Sequence, residues 1–275
     1  VTGLMAGKRG LVMGVANDHS IAWGIARALA GQGAELAFTY QGEALGRRVG
    51  PLAQTLGSSL VFPCDVEDLA SVDATFAALD EAWPEGFDFV VHAIGFSDKA
   101  QLKGRYVDVT SRENFSRTMV ISCFSFTEIA QRAAKRMRPG GSLLTLTYGG
   151  STRVMPNYNV MGLAKAALEA SVRYLAADLG PQGIRVNALS AGPVRTLAGA
   201  GIADARLMFN HQAAHAPLRR TATLEDIGGS GLYLLSPLSG SVTGEVHYVD
   251  SGYNIISMPR PEVLKAQDAA GVTDA

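Results

Sequence analysis

The sequence predicts one α/β domain, a doubly wound parallel sheet with helices on both faces, and three observations carry that expectation. Short β-rich runs alternate with longer helical patterns from the first residues onward, the order of repeated βα units. The strand-like runs are continuously apolar rather than alternating, as strands covered on both faces are. The chain has 275 residues, 47% of them hydrophobic, enough for one large core, and no Pro/Ser-rich linker or compositional break occurs before residue 258. The domain accordingly spans residues 1–258, and the polar stretch 259–275 reads as a flexible tail.

Residues 10–14 form the first strand and 21–32 the first helix. A second strand at 34–40, a helix at 43–56 and a third strand at 59–63 follow. Next come a helix over about 69–83 and a strand at 87–94. The following helix is long, about 112–137, and Pro139-Gly140-Gly141 stops it before a strand at 142–147. Tyr158 is expected near the start of the next helix, which runs to about 179 and ends at Gly180-Pro-Gln-Gly183. A strand at 184–189, a looser region to about 223, a helix at 224–235 and a strand at 245–249 complete the series. In such sheets ligands bind beyond the carboxyl ends of the strands, near the switch in strand order, so the residues just after each strand are the functional candidates.

Composition excludes several classes. A formal net charge of −1 argues against general nucleic-acid binding. No apolar run reaches membrane-spanning length. Residues 1–9 lack the basic and apolar regions of a signal peptide, so a cytoplasmic location is expected. Cys64 and Cys123 are isolated and read as buried small residues rather than a disulfide framework. The five histidines show no metal-site pattern; His211 and His215 could share a helix face, but no third ligand suggests itself.

The most informative interval is Tyr158 to Lys165. Seven helical steps of about 100° return two side chains to one face, roughly 10 Å apart along the axis. A phenol can donate to a developing oxyanion, and an ammonium can grip ribose hydroxyls and favour ionisation of the phenol. Upstream, Gly14-Val-Ala-Asn-Asp-His-Ser20-Ile21-Ala-Trp-Gly24 is a Gly-bearing turn between the first strand and first helix. Helix N-terminal amides there suit a pyrophosphate. Gln41 ends strand two and can hydrogen-bond adenine-ribose hydroxyls without a charge; Arg47 and Arg48 read as a solvated helix face. Asp65 and Val66 follow strand three and can frame an adenine, the carboxylate accepting from its exocyclic amine. Ile94-Gly95-Phe96 ends strand four, where glycine permits close approach of ribose to backbone. These features give the sheet a Rossmann-like reading.

The pieces Gly14-x5-Ser20-Ile-Ala-x-Gly24, Leu36-Ala-Phe-Thr-Tyr-Gln41, Ile94-Gly-Phe96, Pro156-Asn-Tyr-Asn-Val-Met-Gly-Leu-Ala-Lys165 and Ser190-Ala-Gly-Pro-Val-Arg-Thr-Leu197 resemble the short-chain dehydrogenase/reductase superfamily. Within it the chain is similar to the bacterial NADH-dependent enoyl-[acyl-carrier-protein] reductases of type II fatty-acid synthesis, from about Leu4 to Met258. Carbonyl-reducing members of the superfamily carry Tyr-x-x-x-Lys; the spacing here is Tyr-x6-Lys. In an enoyl thioester, hydride enters the β-carbon and charge gathers on an oxygen two carbons away, which suits a phenol displaced from the lysine. The resemblance implies NADH as cofactor, Tyr158 as oxyanion donor, Lys165 on the nicotinamide ribose and Tyr148 as an assisting phenol beside the acyl site. It further implies backbone contacts from Val194, Leu197 and Ala198 to the nicotinamide, Thr196 near the pyrophosphate, and Ser97 at the substrate. A movable lid is expected over about 194–215. An acidic acyl carrier protein is the expected partner, received through Arg206, with Arg195 or Arg219-Arg220 as sharers. A homotetramer is implied too, supported by apolar residues Phe115, Met119, Phe124, Phe126, Ile129, Met161, Leu168, Val172 and Leu175 on two helices. The alternatives are a carbonyl-reducing member, which the spacing disfavours, and a non-catalytic dinucleotide sensor, which should have lost Tyr158 or Lys165.

Overall fold

A computed structural model describes residues 3–194, 205–262 and 265. Its strands are β1 (Arg9–Met13), β2 (Glu35–Tyr40), β3 (Val61–Pro63), β4 (Phe87–His92), β5 (Met137–Thr147), β6 (Arg185–Ala191) and β7 (Val246–Val249). They form one seven-stranded sheet in the order β3-β2-β1-β4-β5-β6-β7, with every pairing parallel. The chain winds outward from β1 in one direction and from β4 in the other. The resulting crevice opens at the carboxyl ends of these two central strands.

The helices are α1 (Ile21–Gly31), α2 (Gly42–Thr55), α3 (Leu69–Ala82), a single turn α4 (Tyr106–Val109), α5 (Arg112–Met119), α6 (Ser125–Ala133), α7 (Val160–Leu179), α8 (Ala205–His215) and α9 (Leu224–Leu235). Consecutive strand residues supply opposite faces. Val12 and Leu144 join a core under α1, α2 and α9, whereas Leu11, Met13 and Leu143 join one under α3, α6 and α7. Phe38 and Phe89 on the first face, and Phe76, Phe87 and Phe126 on the second, are fully buried, each worth roughly 1.5–3 kcal/mol of transfer free energy. α9 starts with a capping box, Thr223 and Asp226 satisfying each other's backbone amides. It crosses α1 closely, since a Cβ on Gly228 would lie 2.6 Å from the Gly24 carbonyl oxygen.

Three expectations change. The long helix is not continuous: a π turn at Val120–Phe124 separates α5 from α6, and the helix ends at Ala133. Met137 belongs instead to β5, where it pairs with Phe87 ahead of an irregularity that absorbs Pro139, Gly140 and Gly141; Gly140 has φ +81°. Pairing with β4 thus overrides the helical pattern of 134–137. The looser region before residue 223 contains α8. Finally, Tyr158 lies in a turn before α7, because Asn157 (φ 57°) and Asn159 (φ 38°) take positive φ angles that a helix cannot contain. Tyr158 and Lys165 are therefore brought together by a turn and a helix, not by one helix face.

Candidate active site

On the nucleotide side, the turn after β1 is shaped by its own side chains. Gly14 has φ +94°, and a Cβ there would overlap the Ala93 carbonyl oxygen at the end of β4. Ser20 is buried at the N-terminus of α1, and its Oγ accepts from the amides of Ala16 (3.0 Å) and Asn17 (3.1 Å). That hydroxyl folds the turn back rather than capping the helix, so the first amides of α1, beginning with Ile21, remain available to an anion. At the tips of β2 and β3, Gln41 Nε2 donates to Asp65 Oδ2 at 3.1 Å, placing the amide and the carboxylate side by side. Val66 is buried in the core, so an adenine laid there would meet the rim of that core rather than an open valine. Arg47 pairs with Glu43 on the exposed face of α2.

Gly95 behaves differently from Gly14. A Cβ there would meet only ordinary contacts, at 3.6 Å from Met161 Cε and 3.8 Å from Lys165 Nζ. The fold tolerates a side chain at 95, and the space it would fill lies directly before Lys165 Nζ. Ser122, on the π turn, holds the neighbouring loop by accepting from the Phe96 amide (2.9 Å) and donating to the Phe96 carbonyl (3.0 Å). Ser97 is turned inward: Asn114 Nδ2 donates to its Oγ at 3.1 Å and Thr118 Oγ1 lies 3.0 Å away. The Ser97 hydroxyl is thus bonded to α5, which leaves the backbone of this position toward the site.

On the reacting side, Tyr148 follows β5 and meets Tyr158 edge-on, with ring centroids 5.2 Å apart. Gly150 lets Tyr158 in, since a Cβ there would strike the phenol ring. Lys165 Nζ donates to the Leu146 carbonyl at 2.8 Å. One helical turn on, buried Glu169 accepts from Thr147 Oγ1 at 2.6 Å. The two residues that end β5 therefore hold the two buried charged residues of α7. Burial sets the protonation states. It lifts the Tyr158 phenol well above its usual range, with Tyr148 and Glu169 adding to the shift. Tyr148 is pushed up to about 12 by burial, then by Tyr253 and Asp250. Burial lowers Lys165 to about 8 against the opposing pull of Cys123 and Glu169. The site thus presents two neutral phenols and a lysine able to lose its charge. His92, beneath it, is kept neutral by burial, its pKa lowered to about 3. A cavity of about 240 Å³ adjoins Tyr148, with Gln212 of α8, Arg153 and Asp250 among its walls.

Gly14, Ser20, Ile21, Gln41, Asp65, Val66, Ile94, Gly95, Tyr148, Tyr158 and Lys165 all fall along the carboxyl edge of the sheet, as does Val194 just beyond β6. Arg195, Thr196, Leu197 and Ala198 lie outside the described residues, as does much of the expected lid. Sequence reading missed Glu169 and Ser122. The four-residue step from Lys165 to a carboxylate on an apolar helix was a usable signal; the π turn that aims Ser122 leaves none.

A phosphate-ready turn at one end of a doubly wound sheet and a buried Tyr/Lys pair at the other define a nicotinamide-dependent oxidoreductase of the short-chain dehydrogenase type. The family model described as Enoyl-(Acyl carrier protein) reductase matches residues 14–254, and the chain belongs to that family. It is 72% identical to "Enoyl-[acyl-carrier-protein] reductase [NADH] 2" of Rhizobium meliloti, covering 98% of this chain and 100% of that one. Among solved structures, the enoyl reductase of Anaplasma phagocytophilum in complex with NAD is 56% identical, with a TM-score of 0.91 over 94% of this chain and 98% of that one. The Bacillus cereus enoyl-acyl carrier protein reductase with NADP+ is 51% identical, with a TM-score of 0.90 over 93% and 100%.

Proposed function

We propose that Tyr158 and Lys165 are the working pair of an NADH-dependent enoyl-[acyl-carrier-protein] reductase that converts trans-2-enoyl thioesters to saturated acyl thioesters. Membership in the family supports the reaction class and the cofactor. NADH, when bound, supplies the hydride that enters the β-carbon. Tyr158 keeps its proton and donates a hydrogen bond to the thioester oxygen as negative charge gathers there. In a desolvated site such a donor is worth far more than in water. Lys165 holds ribose hydroxyls in the space before Gly95, and Tyr148 packs against Tyr158 and excludes water from the reacting carbons. The first amides of α1 take the pyrophosphate, Gln41 the adenine ribose, Asp65 the adenine amine, and Val194 with Thr196, Leu197 and Ala198 the nicotinamide side. The observation that carries this reading is the neutral, buried Tyr158 phenol seven residues before a lysine whose Nζ faces Gly95.

The test follows NADH oxidation with trans-2-enoyl and, in parallel, β-ketoacyl thioesters. The enoyl substrate should be reduced and the ketone should not; dominant ketone reduction would mean a carbonyl reductase.

The same reading makes the chain a cytoplasmic enzyme of type II fatty-acid synthesis, with residues 1–258 as one reductase domain. No helix among the described residues is long and apolar enough to cross a membrane. The segment about 194–215, which ends in α8, would act as the lid. A homotetramer is proposed with a revised basis. Phe126, Ile129, Leu168, Val172 and Leu175 are consumed by the monomer core, whereas Val120, Phe124, Leu163 and Tyr174 remain 40–76% exposed. Light scattering should find a species of several chains rather than one of 28.9 kDa.

A further inference from the structure

Glu169 is buried and charged one helical turn from Lys165, yet hydride transfer and oxyanion stabilisation give it no task. Its side chain is 7% exposed, and a carboxylate in such a place is costly unless it is hydrogen-bonded and electrostatically compensated. Thr147 supplies the bond, its Oγ1 donating to Glu169 Oε1 at 2.6 Å. Residues four apart on a helix share a face, so the Lys165 ammonium supplies the compensation.

Three successive residues at the end of β5 meet this face. Leu146 offers its carbonyl to Lys165 Nζ at 2.8 Å, Thr147 its hydroxyl to Glu169, and Tyr148 its ring to Tyr158, with centroids 5.2 Å apart. Strand alternation permits this: the Leu146 side chain enters the core under α1 and α9, which turns Thr147 toward α7. A shift at Thr147 would therefore move both the acceptor of Lys165 and the phenol packed on Tyr158. Charge acts alongside geometry. The Glu169 carboxylate opposes loss of the Lys165 proton and loss of the Tyr158 proton, keeping both groups in the forms that bind ribose and donate to an oxyanion. The other titratable groups near the pair stay neutral. Burial pushes the Cys123 thiol of the π turn up, His92 of β4 down to about 3 and Tyr148 up to about 12, so none of them changes charge between about pH 6 and 8.

We propose that Glu169 is a positioning residue for the reduction, acting through Thr147 on the end of β5 and through its negative charge on the Lys165 ammonium. This rests on the reading of Lys165 as the ribose-binding group. The test is calorimetry of NADH binding to the full chain and to its Glu169→Gln variant at about pH 6 and about pH 8, with enoyl-thioester turnover followed in parallel. Glutamine still accepts from Thr147, so the bond is kept and the charge alone is removed. The Lys165 charge should then be lost about one pH unit earlier. NADH affinity of the variant should be about fivefold weaker than the parent's at about pH 8 and within about twofold of it at about pH 6. Thr147→Val keeps the carboxylate but not the bond that aims it; it should move the decline in the same direction and lower kcat several-fold by releasing Tyr148. In the Lys165→Met background, Glu169→Gln should add no further pH dependence, because Glu169 acts through the lysine. Equal affinities of parent and Glu169→Gln at both pH values, an equal loss at both, or a pH-dependent loss that persists beside Lys165→Met would overturn the proposal. An unchanged pH profile and kcat in Thr147→Val would overturn it as well. NADH affinity unaltered by Lys165→Met alone would instead overturn the ribose reading.

Discussion

The two ends of the crevice are built on opposite principles. The nucleotide end is a surface: the exposed Gln41 and the partly exposed Asp65 are bonded to each other, and the turn after β1 is kept open by Ser20. The reacting end is an interior: Tyr158, Lys165 and Glu169 are each less than 10% exposed, and burial dominates the shifts of the first two. Binding a long anionic cofactor calls for many modest, solvent-accessible contacts, each worth about 0.5–1.5 kcal/mol. Handling one developing charge calls for a few groups whose protonation is fixed by desolvation.

If that division is right, substitutions at the two ends should change different kinetic constants. The largest effect should come from Tyr158→Phe, which removes a donor used as charge develops. Turnover is expected to fall by about 100-fold or more, while calorimetry finds NADH affinity within about threefold. A matching loss of affinity would erase the distinction. Lys165 sits at the junction, and Lys165→Met should weaken NADH binding about tenfold, close to 1.4 kcal/mol. Its pH dependence sharpens the point. The folded value of about 8 lies below the ordinary 10.5, so the charge that grips ribose is present below about 8 and lost above it. NADH affinity should therefore decline as pH rises past 8 in the parent chain and stay flat in Lys165→Met. Stability runs the other way: over pH 8 to 10.5 the unfolded chain binds the extra proton, so this residue makes the fold more stable as pH rises. The smallest effect belongs to Gln41→Ala, a loss of NADH affinity of about two- to fivefold with kcat unaltered. The parent should favour NADH over NADPH, since Gln41 offers a 2′-phosphate no charge. A larger NADPH specificity constant would displace Gln41 from the adenine ribose.

Sequence reading recovered the βα order because the period of apolar residues is a local property. It placed α9 at its observed bounds, and Gly14, Ser20, Gln41 and Asp65 follow their strands as expected. It failed where distant pairing decides. Met137 looked helical until β4 claimed it, and nothing local to Ser97 announces the bonds of its hydroxyl to Asn114 and Thr118. The Tyr158–Lys165 pair was found by a spacing argument whose geometry was wrong, since the two asparagines around Tyr158 start the helix late. Glu169 was hidden because its significance depends on Thr147, 22 residues away in the chain.

The π turn at Val120–Phe124 amounts to a phase correction. Adding one residue to a helix rotates everything after it by about 100°, and π turns commonly mark functional sites. Here Asn114 and Thr118 face Ser97 before the turn, Ser122 faces Phe96 within it, and Phe126 and Ile129 face the core after it. At about 100° per residue Asn114, Thr118, Ser122, Phe126 and Ile129 span an arc of only about 120°, so the π turn adjusts one shared buried face. Length and angle are therefore coupled in this segment. A change of length within 120–124 would act on two contacts at once, the hold of Ser122 on the Phe96 loop and the burial of Phe126 and Ile129, although no single side chain of the segment announces that coupling.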